Sequence, residues 1–155
     1  MLAGGWAVNG IYTALSGSPF SPSLTSPVAN TGTFSRPNRV CNGTLSHRTI
    51  NQWFNTSCFT TPPLYQFGNS GRNILFGPGT NTFNFSAFKN TYISENRSRY
   101  VQFRAEFFNL FNKPQFNNPN SSIGSPVAGT ISSAGDPASF TRTSRQIQFA
   151  LKVYF

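Results

Sequence analysis

The residues that could carry catalytic chemistry are few in this chain of 155 residues. Its carboxylates are Glu95, Glu106 and Asp136, and its single imidazole is His47. General acid–base catalysis needs two such groups held together, and nucleophilic catalysis needs a base beside the nucleophile. No spacing in the sequence pairs these residues in that way. We therefore predict that the chain is not an enzyme, that it carries no cofactor, and that His47 is a loop side chain.

Two cysteines, Cys41 and Cys58, lie in one polar, proline-rich stretch. A zinc site needs further Cys or His ligands nearby, and the chain has a single histidine, so we predict no metal site. The spacing favours a disulfide that staples a loop in an oxidising compartment. Such a bond contributes about 3 kcal/mol in chain-entropy models. Two unpaired thiols are the alternative.

The composition is unusual for a soluble domain. Charged residues make up 10% of the chain, against roughly 25% in typical domains. There are 17 Phe, and Asn, Ser and Thr are abundant, which favours strands joined by turn-rich loops. No run reaches the roughly 20 apolar residues that a membrane helix needs. The composition therefore predicts an all-β chain with long loops.

The net charge is +9, yet the cations are scattered and form no basic run. Scattered cations suit anionic lipid headgroups or phosphates. A nucleic-acid-binding protein would carry a basic stripe interleaved with exposed aromatic residues. The segment SRYVQFRAEF resembles such a strand but lacks the glycines of an RNA-recognition motif. We predict no nucleic-acid partner; salt-sensitive binding to oligonucleotides would indicate the alternative.

Four segments alternate apolar and polar residues and are predicted as strands: 5–15, 82–93, 99–110 and 144–155. The last two alternate most cleanly, whereas Ile11, Leu15 and Phe88 interrupt the first two. One polar face is predicted to carry Gln102, Arg104, Glu106, Gln146, Gln148 and Lys152. The opposite face of the last strand carries Ile147, Phe149, Leu151, Val153 and Phe155.

The connections run long, short, long: residues 16–81, 94–98 and 111–143. Long structureless loops are uncommon in compact domains. Outer-membrane barrels have them, because their external loops are long, their periplasmic turns are short, and their strands alternate apolar outside and polar inside. The pattern thus predicts part of a transmembrane antiparallel β-barrel. Loops 16–81 and 111–143 would be extracellular, and the six polar side chains would face the lumen. A secreted β-sandwich used for binding or adhesion is the alternative, although sandwiches usually show turn signals every 8 to 12 residues.

Several segments resemble a known family. GWAVNGIYTALSGSPF is similar to a strand-and-loop start found in TonB-dependent receptors. FGNSGRNILFGPG, FNFSAFKN and RAEFFNLFNKPQFNNPN resemble the tail of the Oar-like group of those receptors. The last strand resembles the closing strand of bacterial outer-membrane proteins, in which a final Phe after alternating apolar residues is the signal read by the assembly machinery.

The resemblance implies a barrel of about 22 strands, plugged by an amino-terminal domain. It implies transport across the outer membrane of a Gram-negative-type bacterium, driven by an inner-membrane energy-coupling complex. The implied partners are outer-membrane lipid, the barrel assembly machinery, and the plug and remaining barrel of the same polypeptide. The sequence shows no plug, coupling box or signal peptide. We therefore expect the carboxy-terminal fragment of a transmembrane antiparallel β-barrel, with about four strands, which neither transports nor inserts stably alone.

Overall fold

The computed structural model describes residues 4–32, 35–135 and 144–155. It is built from strands and one short 3-10 turn, Thr56–Cys58. Among the residues described, no helix is long and apolar enough to cross a membrane. The strands in chain order are β1 (Trp6–Leu15), β2 (Pro19–Phe20), β3 (Ser23–Leu24), β4 (Asn38–Arg39), β5 (Phe59–Thr60), β6 (Leu75–Phe76), β7 (Thr80–Tyr92), β8 (Tyr100–Phe108), β9 (Ser122–Ile123) and β10 (Gln146–Tyr154).

The four long strands form one sheet in the order β1-β7-β8-β10, and every neighbouring pair is antiparallel. These are the four strands predicted from the alternation, with bounds that differ by at most two residues. The predicted all-β, antiparallel class is confirmed. The sheet is open, with β1 and β10 at its edges.

The register keeps like side chains on one face across the sheet. Asn90 lies opposite Gln102, which lies opposite Lys152. Two positions further along the same face, Ser86 lies opposite Glu106. Because side chains alternate strictly along a strand, a slip of one residue would put these groups among the phenylalanines. The polarity pattern is therefore what fixes the register.

A short turn joins β7 to β8, as predicted. Its ends are held where the Ile93 amide donates to the Arg99 carbonyl at 2.9 Å, and the Arg97 amide donates to Ser94 at 3.0 Å. The Asn96 side chain accepts hydrogen bonds from the Ser98 amide and hydroxyl. Backbone hydrogen bonds and the Asn96 side chain thus stabilise this short turn.

The chain leaves β8 through a second side-chain-stabilised bend. Asn109 has a φ of 49°, in the left-handed region that Asn tolerates, and is buried. Its Oδ1 accepts from the Lys113 amide at 3.1 Å and its Nδ2 donates to the Lys113 carbonyl at 2.9 Å. Asn112 also has a positive φ, and its Oδ1 accepts from the Arg145 amide, just before β10.

Residues Ser16–Gly79 and Phe116–Ala134 form a second compact unit, called here the loop unit. Sequence reasoning treated these residues as long loops. They instead form two-residue ladders, β2 with β6, β4 with β5, and β3 with β9, the last of them parallel. Their hydrophobic core comprises Phe20, Leu24, Phe54, Cys58, Phe59, Leu75 and Ile123.

Candidate membrane-facing and lumen-facing surfaces

One face of the four-stranded sheet is apolar and uncovered. Phe149 and Leu151 of β10 are 65% and 69% exposed in the described chain, although such residues are normally buried. Their neighbours pack within the face rather than against another layer: Phe103 stacks on Phe149 at 6.0 Å between ring centres, and Phe85 lies 6.2 Å from Phe107. The apolar residues of this face include Trp6, Val8, Tyr12, Phe83, Phe85, Ala87, Val101, Phe103, Ala105, Phe107, Ile147, Phe149, Leu151 and Val153.

A contiguous apolar face of this extent is rare on soluble monomers and common where lipid is the solvent. A β-sandwich would bury Phe149 and Leu151 against a second sheet across a dry core. Their exposure does not favour the sandwich alternative.

The opposite face is polar, and the six residues predicted to share a face do share it. Arg104 and Glu106 form an ion pair, with Nη2 3.1 Å from Oε1 and side chains 27% and 25% exposed. The Gln102 amide donates to Asn90 Oδ1 at 2.9 Å. Lys152 lies opposite Gln102, Gln148 opposite Glu106, and Gln146 opposite Phe108. These groups offer donors and acceptors to a wet surface.

The polar face also carries a phenylalanine, which contacts a cation on the next strand. Phe88, which interrupts the alternation in sequence, lies beneath Arg104, whose guanidinium carbon is 4.5 Å from the ring centre. This cation–π contact stabilises Phe88 on a face that is otherwise polar. Ile11 and Leu15 also fall on this face, opposite Asn84 and Thr80, and nothing in the structure explains their choice.

A row of tyrosines crosses the sheet at the turn end. Tyr100 stacks on Tyr154 with ring centres 4.4 Å apart, and Tyr92 lies 5.6 Å from Tyr100. Arg97 lies 5.4 Å over Tyr92. The equal parity of the three positions was visible in sequence, but their alignment depends on a register that single strands do not reveal.

The predicted assembly-signal residues lie along the edge strand β10. Ile147, Phe149, Leu151 and Val153 project from the apolar face, and Phe155 follows the strand fully exposed. In the described sheet β10 pairs only with β8. Its other side is an edge of the sheet, which can accept a further strand.

Cys41 and Cys58 are joined by a disulfide, with their Cα atoms 4.9 Å apart. Cys58 lies in the core of the loop unit, and the Val40 amide donates to its carbonyl at 2.9 Å. Gly43 has a φ of 73°, and a Cβ there would lie 2.8 Å from the Phe59 ring. The bond thus joins the exposed Cys41 to the buried core of the loop unit.

The acid and imidazole groups that the structure describes lie in different elements. Glu95 lies in the β7–β8 turn, Glu106 pairs with Arg104, and His47 is exposed in the loop unit. Asp136 lies outside the described residues. Within the described ranges, no three or more His, Cys, Asp or Glu residues are grouped so as to hold a metal ion.

Comparison with known proteins gives one result in keeping with these surfaces. The model of the outer membrane beta barrel domain matches residues 1–148. No curated protein and no solved structure matches the chain. The match spans nearly the whole sequence and places the protein in the outer membrane of a Gram-negative-type bacterium. The chain therefore belongs to the outer membrane beta barrel domain family.

Proposed function

We propose that this chain is the carboxy-terminal part of the barrel of a TonB-dependent receptor of the Oar-like group, which transports a substrate across the outer membrane. The observation that carries the proposal is the two-faced open sheet, with its uncovered apolar face on one side and its polar face on the other. The segments GWAVNGIYTALSGSPF and RAEFFNLFNKPQFNNPN, which resemble that group, support the finer assignment.

The apolar face meets acyl chains, and the polar face lines the lumen. Polar residues such as Gln102, Arg104 and Glu106 are tolerated in a wet lumen and are costly on the lipid side. The smallest closed barrels have about eight strands, so four strands need others to complete a cylinder. Unpaired backbone groups in lipid cost several kcal/mol each. The edge strands β1 and β10 would therefore pair with the remaining strands of the barrel.

The topology that follows puts the β7–β8 turn in the periplasm and the loop unit outside the cell. The folded, disulfide-linked loop unit would then contribute to the receptor's outer surface, where substrate arrives. The terminal strand would be read by the barrel assembly machinery through strand addition at its free edge. The plug and the inner-membrane energy-coupling complex would act through the complete polypeptide. No catalytic step, cofactor or nucleic acid enters this function.

Two measurements test the proposal. Outer membranes of the source bacterium should yield a polypeptide that contains these residues and is several times heavier than the 17.0 kDa of this chain, as determined by mass spectrometry of tryptic peptides and intact protein. In vivo crosslinking should join that polypeptide to the inner-membrane energy-coupling protein. A 17.0 kDa species alone in the outer membrane would overturn the proposal.

A further inference from the structure

One charged side chain stands out of place on the apolar face. Of all the residues of that face within the four strands, Lys89 is the single charged one. A lysine on the lipid-facing side of a barrel is costly at the middle of the bilayer and nearly free close to the headgroups. Lys89 is therefore compatible with a lipid-facing surface if it lies at the depth of the headgroups.

The position of Lys89 fits the headgroup depth. Lys89 lies three residues from the end of β7, which is about 10 Å along the strand at 3.3 Å per residue, and less along the membrane normal because barrel strands tilt. A lysine stem can span much of that distance while its ammonium group reaches the polar layer.

The side chain points toward that layer. Trp6 lies opposite Lys89 in the β1–β7 register, and the Asn90 amide donates to the Gly5 carbonyl, so the residues before β1 lie at the turn end. Lys89 Nζ donates to the carbonyl of Gly4, beyond Gly5 in that direction. The ammonium group thus extends toward the turn.

Trp6 completes the arrangement. Lys89 Nζ lies 5.2 Å from the centre of the Trp6 ring, and the indole is 58% exposed on the apolar face. Tryptophan concentrates at membrane–water boundaries because its ring is apolar and its N–H is polar. Arg99 directly precedes β8, so a second cation lies at the turn end of the sheet.

We propose that Lys89 and Trp6, with Arg99 closer to the turn, bind the phosphate of an anionic phospholipid headgroup. The ammonium group supplies charge, the indole N–H can donate a hydrogen bond, and the neighbouring apolar face accommodates the acyl chains. The occupant follows from charge complementarity and from continuity with the apolar face. The proposal rests on the proposed contact of that face with lipid, but not on transport or on any substrate.

Photo-crosslinking of the polypeptide that carries this chain, in neutral detergent micelles, tests the site. One probe is phosphatidylglycerol with a photoreactive headgroup; the other is phosphatidylcholine with a photoreactive acyl chain. Headgroup labelling of the Lys89 and Arg99 peptides should fall about fivefold in Lys89→Gln, the factor expected for one cation at an anionic lipid surface. Lys89→Arg should keep the labelling. Lys152→Gln removes an equal charge from the polar face and should leave it unchanged.

Each other outcome has a distinct meaning. If Lys152→Gln and Lys89→Gln lower headgroup labelling equally, net charge is responsible and the site is refuted. If inorganic phosphate at matched concentration abolishes the labelling, the residues hold a free anion and the phospholipid proposal is overturned. If the acyl-chain probe labels the Phe149 region but headgroup labelling is unchanged in Lys89→Gln, the headgroup site is refuted and the contact of the apolar face with lipid is kept. If the acyl-chain probe does not label that region, the contact of the apolar face with lipid fails too.

Discussion

Leu24 and Ile123 lie side by side in the parallel β3–β9 ladder, and both are buried, at 3% and 8% exposure. The Leu24 residue belongs to the connection after β1 and Ile123 to the connection after β8. The two long connections therefore share one core. A shared core makes the loop unit a folded element with its own stability, unlike independent flexible loops.

Replacing Ile123 by Ala should destabilise the loop unit by about 2–5 kcal/mol, because it removes buried methylenes and leaves a cavity. Hydrogen exchange measured by mass spectrometry should show faster exchange in peptides of both connections, including the one containing Leu24. Val127→Ala, at an exposed position in the same segment, is the matched control and should change exchange little. Faster exchange confined to the peptide around residue 123 would contradict a shared core.

Removing the disulfide with the double substitution Cys41→Ser and Cys58→Ala should cost the loop unit about 3 kcal/mol, since the cross-link no longer restricts the unfolded chain. The expected result is faster tryptic cleavage after Arg48, which lies between the two cysteines. Reduction of the wild-type chain should have a similar effect, and reduction of the double variant should have none. Alkylation of both thiols in non-reduced wild-type protein would contradict the bond.

Substitutions of Asn109 should separate two contributions at the exit of β8. Asn109→Gly loses the two side-chain hydrogen bonds to Lys113 but keeps access to a positive φ. Asn109→Ala loses the same bonds and also places a Cβ in the left-handed region, which costs roughly 1–2 kcal/mol more. Denaturant unfolding should therefore rank Asn109→Ala below Asn109→Gly. The control is Lys113→Ala, which keeps the backbone groups that bond Asn109 and should leave the unfolding free energy close to that of the wild type. Equal losses of stability in Asn109→Ala and Asn109→Gly would show that the backbone at position 109 is not strained.

The sheet could be predicted from sequence because its information is local. Residues of β8 and β10 alternate over the full strand length, so Gln102 and Arg104 fall on one face whatever their partners are. Phe88 interrupts β7 because its position is decided by Arg104 on the next strand, a contact that β7 alone does not encode.

The loop unit could not be predicted from sequence because the contacts that define it join residues far apart in the chain. Its ladders are two residues long, too short for a period to show, and the partners Leu24 and Ile123 are far apart in sequence. Tyr65 has a φ of 64°, which no propensity of tyrosine suggests. Its amide donates to the Val28 carbonyl at 2.8 Å, so tertiary contacts hold that conformation.

Adjacent residues of β10 give the sharpest test of which face meets lipid. Phe149 lies on the apolar face, and Gln148 lies on the polar face opposite Glu106. With the polypeptide that carries this chain inserted in lipid vesicles, Phe149→Arg should lower folding stability by about 2–4 kcal/mol, the range for a cation near the bilayer midplane. Gln148→Arg should cost much less, because the new guanidinium faces a wet surface and the Glu106 carboxylate. Folded fractions read from protease protection across a urea series measure both. A larger loss for Gln148→Arg would mean that lipid contacts the polar face, and the proposed assignment of the two faces to lipid and lumen would then be wrong.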